Sequence, residues 1–382
     1  MKKLSYKIKN IYFVTTNRAD YGLQKNLIKE ISLSKKYNLR LIVGGAHNLK
    51  EFGNTIKQIK SDKIKIYKSI NIKLNKDTPH SISLFNHKLS EKINDIFLND
   101  SVDFLFLLGD RSELFNIAGL AKIYNIPVGH LHGGESTLGA IDDSIRASIS
   151  HLSTLHFVSH KNYKKKLISM KIEKSTIFIF GGLGASSIVK SKFINKMEIE
   201  RKLNLKLKKK IILVSYHPVT LENHKTKVEF QNLLGALTQF KECQIIITSP
   251  NTDVNFHVIN KLIKKFVSEN KNFHHYFSLG NELYYSLMKL SSALVGNSSS
   301  GILEAPSFNT IGILNIGNRQ GGRIQAKQIL NCSSVSDDIT KKLKKILFDK
   351  KFKKIIAKGE NPYFIKNTKK NIVKILNKFF NN

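Results

Sequence analysis

Short apolar runs alternate with longer amphipathic segments along nearly the whole chain, and this alternation restricts the possible folds more than any other feature. Eleven runs have the character of buried strands: 11–16, 39–45, 104–109, 127–131, 155–159, 176–182, 210–216, 243–248, 273–279, 293–297 and 310–316. Helical segments fit between them, among others 21–37, 112–125, 229–242, 254–270 and 281–292. Strand–helix–strand alternation with continuously apolar strands predicts parallel sheets that are covered by helices on both faces.

The pattern occurs twice, which predicts two domains. The chain has 382 residues and is too long for one ordinary core. We predict an α/β protein with two doubly wound, Rossmann-like domains, 1–182 and 183–365, and an interdomain cleft. The last segment, 366–382, is predicted to be a helix that packs back on the N-terminal domain. Ligands of such sheets bind at the carboxyl ends of the strands.

The chain is strongly basic, with 63 Lys and Arg against 28 Asp and Glu and a formal charge of +35. Such a charge suggests nucleic-acid binding. However, the lysines are dispersed over predicted helix faces and ends, which favours a solvated basic surface. We therefore expect no nucleic-acid partner, although the charge should attract anions such as phosphorylated metabolites.

Targeting and redox features are few. No run approaches the roughly 20 apolar residues of a membrane helix, and the apolar piece near the N-terminus is too short for a signal peptide. The two cysteines, Cys243 and Cys332, have no metal-like spacing, so a disulfide framework is not expected. The sequence predicts a cytoplasmic protein without a membrane partner.

Polar residues follow two predicted strands of the first domain. Arg18 comes after the first strand and opens a helix, where it either binds an anion near free backbone N–H groups or lies on the surface beside an Asp20 cap. Asp110 follows a Gly109 turn, as a helix cap or as a cleft carboxylate. The two roles of Asp110 are compatible with each other.

The stretch HLHGGESTLGAIDDSIR has the highest density of reactive side chains. It contains, in order, His130, His132, Glu135, Asp142, Asp143 and Arg146. Its glycine turn lets the backbone approach a ligand closely. Two histidines and an acid permit a zinc site by composition, but a convincing third ligand is missing, so no metal is predicted. The paired acids are also explained by helix capping. A functional role is favoured because this stretch and Asp110 belong to consecutive strand-end loops.

The second domain carries a loop rich in small residues, GNSSSGILEAP. Asn297, three serines (298–300, including Ser299 and Ser300) and Gly301 lead into a short helix, which predicts a hydroxyl-rich cradle for a diphosphate. Glu304 is placed to accept two ribose hydroxyls, or it is an acid favoured by the helix dipole. His217 follows the strand 210–216, where a lone histidine is often structural. Arg319 and Arg323 lie on a later glycine loop. These residues alone indicate a two-domain enzyme for a nucleoside diphosphate compound.

At its motifs the sequence resembles the hydrolysing UDP-N-acetylglucosamine 2-epimerases of sialic and legionaminic acid biosynthesis. The matching stretches, in family order, are RADYG, EFGNT, GDRSE, IPVGHLHGGE, GAIDDSIRASISHLSTLHFV, HPVT, NSSSGILEAPSF and NIGNRQGGR. The resemblance implies a fold like that of the GT-B glycosyltransferases, with the nucleotide held mainly by the second domain. It also implies a homodimer and a nucleotide-sugar substrate.

The resemblance further implies a mechanism without metal or other cofactor. Anti elimination of the nucleotide forms a 2-acetamidoglucal, and water then adds to release N-acetylmannosamine or a 2,4-diacetamido analogue. The implied acid/base group is Asp110, Glu135 and Asp142, with His132 and His217 beside them. The implied binding residues are Arg18, Arg146, Asn297, Ser299, Ser300, Gly301, Glu304 and Arg319. Carboxylates suit such proton transfers when burial tunes their pKa values.

Some positions depart from the family pattern. Thr16 and Asn17 replace a Gly-Thr pair, Leu183 replaces a common proline, Ser186 replaces an aspartate, and Asn318 stands where aspartate is common. Two other enzyme classes remain as alternatives, a GT-B glycosyltransferase and a non-hydrolysing 2-epimerase. A nucleic-acid-binding protein is disfavoured by the dispersed lysines.

Overall fold

The chain forms two compact units, each built on one parallel sheet. The computed structural model describes residues 7–49, 55–74, 78–137, 141–188, 191–219, 224–250 and 256–381. Unit 1 comprises Met1–Glu135, Asp142–Ser186 and Ile365–Asn382, and unit 2 comprises Ser136–Ile141 and Ser187–Phe364. The predicted α/β class with two doubly wound, Rossmann-like sheets is confirmed.

Unit 1 has a seven-stranded sheet with the order β3-β2-β1-β4-β5-β6-β7, and every paired neighbour is parallel. Its strands are β1 (Lys9–Thr15), β2 (Tyr37–Val43), β3 (Ile66–Ser69), β4 (Phe104–Leu108), β5 (Val128–Leu131), β6 (Leu155–Val158) and β7 (Ile177–Ile179). Its helices are α1 (Arg18–Ser32), α2 (Ile56–Ser61), α3 (Pro79–Asn99), α4 (Ser112–Ile123), α5 (Asp142–Leu152), α6 (Lys161–Ser169), the start of α7 (Leu183–Ile188) and α15 (Thr368–Asn381).

The central strand β4 shows why the sheet needs helices on both faces. All five of its residues are buried, and successive side chains point to opposite faces. Phe104 and Phe106 pack with residues of α1 and the C-terminal helix α15, whereas Leu105 and Leu107 pack with residues of α3 and α4. Full burial of each such side chain contributes about 1.5–3 kcal/mol. The two layers therefore hold the carboxyl end of β4, where Asp110 lies, in a fixed place.

Unit 2 has a six-stranded parallel sheet with the order β10-β9-β8-β11-β12-β13. Its strands are β8 (Ile211–Ser215), β9 (Gln244–Thr248), β10 (Phe273–Tyr276), β11 (Ala293–Gly296), β12 (Gly312–Ile316) and β13 (Ile329–Cys332). Its helices are α8 (Lys196–Leu203), α9 (Thr226–Leu237), α10 (Phe256–Glu269), α11 (Gly280–Leu290), α12 (Ser299–Leu303), α13 (Ser336–Phe348) and α14 (Lys350–Ala357). One apolar core cluster contains residues from all six strands.

All eleven predicted strands are present, and two edge strands, β3 and β13, were not predicted. Both are four residues long and only partly buried, so they lack a continuous apolar run. Helix α1 begins at Arg18 and ends at Ser32, earlier than the predicted 21–37 at both ends, because Tyr37 already belongs to β2. Residues 254–255 of a predicted helix, and most of the motif EFGNT, lie outside the described residues.

In the part of the chain that the structure describes, no helix has both the length and the apolar character needed to cross a bilayer.

Candidate active site

The strand order reverses between β1 and β4 in unit 1 and between β8 and β11 in unit 2. In open α/β sheets, ligands bind beyond the carboxyl ends of the strands at such points. The predicted site residues follow strands at or near these points: Arg18 after β1, Asp110 after β4, His132 and Glu135 after β5, His217 after β8, Asn297 after β11 and Arg319 after β12. Each unit thus presents its own group of polar side chains.

Arg146 of α5 joins the acidic segments of unit 1. Its guanidinium forms a short ion pair with the Asp110 carboxylate, and its Nη1 donates to the Glu135 carbonyl oxygen at 2.7 Å. The same nitrogen lies 3.7 Å from Asp143 Oδ1. The Arg146 residue is 1% exposed, so its charge is compensated by these partners and not by water. Arg146 therefore contacts Asp110, the Glu135 backbone and Asp143 from one buried position.

His132 and Glu135 form a buried pair on the turn after β5. His132 Nδ1 lies 2.6 Å from Glu135 Oε1, and the Ser159 hydroxyl donates to the same oxygen at 2.6 Å. The Leu183 amide donates to His132 Nε2 at 3.3 Å, so we assign the imidazole proton to Nδ1, where it faces the carboxylate. Both ring nitrogens are therefore engaged within the protein. Ser159 and Leu183 were not predicted from the sequence.

The turn that carries this pair requires its glycines. Gly134 has a φ of +73°, and a Cβ on it would lie 2.8 Å from the Tyr163 carbonyl oxygen. A Cβ on Gly133 would lie 3.0 Å from His130 Nδ1. His132 itself has a φ of +63°, which is uncommon for a residue with a side chain. Strain of this kind persists where the surrounding structure fixes it, often at functional sites.

Among the residues that the structure describes, no three His, Cys, Asp or Glu side chains are grouped as metal ligands.

The loop after β1 differs from its prediction in two ways. The cap of α1 is Asn17, not Asp20, because Asn17 Oδ1 accepts from the amides of Ala19 at 2.8 Å and Asp20 at 3.1 Å. These two amides, expected to be free for an anion, are thus already paired. Arg18 is the first residue of the helix and is partly buried.

The two unusual side chains of this loop point towards a buried carboxylate. Thr16 Oγ1 and Asn17 Nδ2 both donate to Asp20 Oδ2 at 2.8 Å. Burial raises the pKa of Asp20 to about 6, while the nearby Arg111 and the two hydrogen bonds oppose that rise. The side chains of Thr16 and Asn17, which replace the Gly-Thr pair of the family pattern, are therefore accommodated by hydrogen bonds within the loop.

In unit 2, Asn297 connects two strand ends. Its Oδ1 accepts from the His217 amide at 2.7 Å, and its Nδ2 donates to the His217 carbonyl oxygen at 2.8 Å. Its own carbonyl oxygen accepts from Gln320 Nε2 at 2.8 Å and from Arg319 Nη1 at 3.3 Å. Because Asn297 is 0% exposed, it positions the backbone of His217 and the loop of Arg319.

The serine-rich loop begins the short helix α12. Ser298 is its N-cap and accepts from the Ser300 amide at 3.4 Å and from the Ser300 hydroxyl at 3.1 Å. The Tyr284 hydroxyl lies 2.9 Å from Ser300 Oγ. The Ser300 hydroxyl is therefore held between two protein groups, whereas Ser299 is only partly buried. A Cβ on Gly301 would lie 3.2 Å from Ile313, so Gly301 permits close packing of α12 on the sheet.

Glu304 ends this helix with a buried carboxylate. The residue is 7% exposed. Burial raises the pKa of Glu304 to about 7, and the charge of Arg323 opposes that rise. Hydrogen-bond donors from a bound ligand would stabilise the charged form of a carboxylate that is buried in this way.

Comparison with known proteins identifies the family. A family model described as UDP-N-acetylglucosamine 2-epimerase matches residues 29–377. A Campylobacter jejuni protein named GDP/UDP-N,N'-diacetylbacillosamine 2-epimerase (hydrolyzing) is 40% identical over 330 residues, covering 86% of this chain and 85% of that protein. The Escherichia coli polysialic acid biosynthesis protein P7 is 35% identical over 376 residues, covering 97% and 94%.

The fold agrees with these matches. The crystal structure of UDP-GlcNAc 2-epimerase from Neisseria meningitidis bound to UDP-GlcNAc superposes with a TM-score of 0.83 at 19% identity, covering 97% of this chain and 100% of that one. The named relatives favour a hydrolysing 2-epimerase over the glycosyltransferase and non-hydrolysing alternatives. The chain belongs to the UDP-N-acetylglucosamine 2-epimerase family.

Proposed function

We propose that this chain converts a nucleotide-linked 2-acetamido sugar into the free C2-epimeric sugar and the nucleoside diphosphate. The observation that carries the proposal is the assembly of Asp110 and Glu135 beyond the carboxyl ends of the neighbouring strands β4 and β5. Arg146 of α5 contacts both segments, and His132 is hydrogen-bonded to Glu135. Such a group can remove and return protons in a partly water-excluded site. The names of the relatives support the same reaction.

The reaction balances with water as the only co-reactant. In the first step a carboxylate takes the C2 proton, the C2–H electron pair forms the C1=C2 double bond, and the C1–O bond breaks with its pair leaving on the diphosphate. In the second step the oxygen of water bonds to C1 while a carboxylate takes one of its protons. The C1=C2 electron pair takes a proton from a carboxylic acid at C2, on the face opposite to the one that lost the first proton. We propose that Asp110, Glu135 and Asp142 share these transfers and that His132 orients Glu135.

Unit 2 is proposed to hold the nucleotide. Glu304 would accept the ribose hydroxyls, and the loop containing Ser299 and Gly301, with His217, would contact the diphosphate. Arg18 and Arg319 would oppose the negative charge of the leaving group. We propose that Asn297 and Ser300 position this loop and that Arg146 orients the acids of unit 1. The domain limits 1–182, 183–365 and 366–382 remain part of this proposal.

The sugar is proposed to be a 2,4-diacetamido-2,4,6-trideoxy sugar, because the Campylobacter jejuni relative is named for N,N'-diacetylbacillosamine. Product analysis tests the reaction and the substrate together. The protein is incubated with UDP-linked N-acetylglucosamine and with UDP- and GDP-linked diacetylbacillosamine. We expect free epimeric sugar and nucleoside diphosphate, released fastest from a diacetamido substrate. An epimer that stays nucleotide-linked would instead support the non-hydrolysing alternative.

The role of Glu304 predicts a pH dependence of substrate binding. A carboxylate with a pKa of about 7 is charged above that pH, and only the charged form accepts hydrogen bonds from both ribose hydroxyls. We therefore expect the KM for the UDP-sugar to rise about tenfold from pH 8 to pH 6, following the ionised fraction.

The variant Glu304→Gln should have a higher KM at pH 8 and a nearly flat KM between pH 8 and pH 6. Glu282→Gln, which changes an exposed glutamate on α11 of the same unit, is the matched control and should keep the wild-type profile. A Glu304→Gln enzyme with the wild-type pH profile would remove Glu304 from ribose recognition.

We also propose that the protein acts as a homodimer in the cytoplasm, where nucleotide sugars are made. Light scattering should then give about twice the 43.4 kDa of one chain. Leu84 on α3 and Phe115 on α4 are each 43% exposed and are candidates for the contact between subunits. A single-chain mass at micromolar concentration would contradict the dimer.

A further inference from the structure

Helix α5 carries three polar residues at four-residue spacing, Asp142, Arg146 and Ser150. Residues four apart lie on one face of a helix. Arg146 and Ser150 are each 1% exposed, so this polar face is turned into unit 1. Arg146 contacts the Asp110 carboxylate and the Glu135 backbone, as described above. Ser150, one turn further on, has no role in the proposed chemistry.

The Ser150 hydroxyl is hydrogen-bonded to His130, the residue that precedes the final residue of β5. His130 Nδ1 lies 3.0 Å from Ser150 Oγ, and His130 Nε2 lies 2.7 Å from the Gly109 carbonyl oxygen. A carbonyl only accepts, so the ring proton is on Nε2, and Nδ1 accepts from the serine hydroxyl. Burial lowers the pKa of His130 to about 3, which keeps the ring neutral at physiological pH. One buried ring therefore connects β4, β5 and α5.

Further contacts fix both sides of this connection. His156 Nε2 donates to the Ser150 carbonyl oxygen at 2.8 Å, and the Thr176 hydroxyl lies 3.2 Å from His156 Nδ1. The turn after β5 lies directly against the pair, because a Cβ on Gly133 would be 3.0 Å from His130 Nδ1 and 3.1 Å from Ser150 Oγ. The backbone leading to Glu135 therefore packs closely against the same two residues.

We propose that Ser150 and His130 are positioning residues that keep the three acid-bearing segments in their correct relative positions. The pair fixes the Gly109 carbonyl immediately before Asp110, the turn that carries Glu135, and the helix that begins with Asp142. This inference rests on the proposed function and goes beyond it, because neither residue transfers a proton. The Ser150 hydroxyl joins the His130 ring to α5, and the His130 Nε2–H group joins it to the Gly109 carbonyl oxygen, next to Asp110.

The relative positions of the acids matter more for this reaction than for a single proton transfer. The acids act twice, first in the elimination and then in the hydration of the bound glucal. A displacement of about 1 Å can cost a hundredfold in rate. If the acids are misplaced after the elimination, the glucal leaves before water adds. A positioning defect therefore changes the products as well as the rate.

The test compares Ser150→Ala with Ser148→Ala in the full-length protein, using the sugar nucleotide that the wild type turns over fastest. Ser148 lies on the same helix, and its hydroxyl donates only locally, to the Ser144 carbonyl oxygen at 3.0 Å. For Ser150→Ala we expect kcat to fall about tenfold, KM to stay within about twofold, and a larger share of free 2-acetamidoglucal among the products. Ser148→Ala should match the wild type in all three quantities.

A second measurement does not depend on turnover. The 15N resonances of the His130 imidazole should report a neutral ring with its proton on Nε2 between pH 5 and pH 8. In Ser150→Ala the Nδ1 resonance should move towards that of an acceptor nitrogen without a hydrogen-bond donor, while the Gly109 carbonyl keeps the proton on Nε2. An unchanged Nδ1 resonance would show that Ser150 does not donate to this ring.

The outcomes separate the two proposals. Unchanged kcat and glucal share in Ser150→Ala, with an active wild type, overturn the positioning role and leave the proposed function intact. A fall in kcat that only follows the loss of folded protein also overturns it. A wild type that turns over none of the sugar nucleotides refutes the proposed function, and the inference falls with it.

Discussion

Replacing Asp110 with asparagine is expected to lower kcat by at least ~100-fold, the lower range for the loss of a proton-transfer group. Asparagine keeps the shape of the side chain and can still accept a hydrogen bond from Arg146, but it cannot take or return a proton at neutral pH. Asp142→Asn should lower kcat by a similar factor. Steady-state kinetics of both variants, with thermal unfolding to confirm a native fold, provide the measurement.

The matched control lies at the other end of the same strand. Asp103 precedes β4 at its opposite end, where it pairs with Lys9 at 3.1 Å and accepts from the Asn10 amide at 2.8 Å. Asp103→Asn should leave kcat within about twofold, because the change is confined to a partly exposed ion pair of small energy. Near-wild-type turnover in both Asp110→Asn and Asp142→Asn would remove these acids from the chemistry.

Replacing Arg146 with methionine should affect both stability and activity. The guanidinium is buried beside Asp110 and Asp143, so its removal leaves carboxylate charge without its buried partner. The carboxylates that remain are 21% and 29% exposed, so we expect a loss of about 1–3 kcal/mol of unfolding free energy, less than for a fully buried pair. Because the same group orients Asp110 and the Glu135 backbone, kcat should fall by at least ~100-fold as well. Urea unfolding and steady-state kinetics measure the two effects.

Lys166→Met is the control for this change. Lys166 Nζ also contacts Asp143, at 3.3 Å, but its side chain is 32% exposed. Loss of such a pair is expected to cost about 1 kcal/mol or less. If Arg146→Met proved as stable and as active as Lys166→Met, our proposal that Arg146 orients Asp110 and the Glu135 backbone would be wrong.

The sequence predicted the fold well because a parallel sheet buried on both faces requires continuous apolar strands. Each of the eleven predicted runs became a strand, and the missed strands β3 and β13 are short and lie at sheet edges. The predicted end of α1 was wrong because helical periodicity in the sequence continues past Ser32. The packing of Tyr37 in the sheet requires the helix to end earlier. Local pattern does not contain that tertiary constraint.

The candidate site was predictable where its residues follow neighbouring strands. Asp110, His132 and Glu135 follow β4 and β5, which are adjacent in the sheet. Ser159 and Leu183, the partners of Glu135 and His132, come from later loops. Nothing in the local sequence distinguishes Ser159, whereas Leu183 stands out only because it replaces a common proline. Ser150 did leave a signal, since it continues the four-residue spacing of Asp142 and Arg146.

Two departures from the family pattern acquire a physical meaning. Thr16 and Asn17 are bound to the buried Asp20, so their side chains are accounted for within the loop. Leu183 supplies an amide hydrogen to His132 that the common proline would lack. The tautomer of His132 is therefore fixed in this chain by a backbone donor that relatives with proline do not have.

The central claim is elimination and hydration at C2, and proton NMR in D2O tests it most directly. The protein is incubated in D2O with the UDP-linked diacetamido sugar and, separately, with UDP-N-acetylglucosamine. The account predicts a free manno-configured sugar that carries deuterium at C2, released together with UDP. A free sugar that keeps its original C2 proton and gluco configuration would contradict it, because simple hydrolysis would then explain the products.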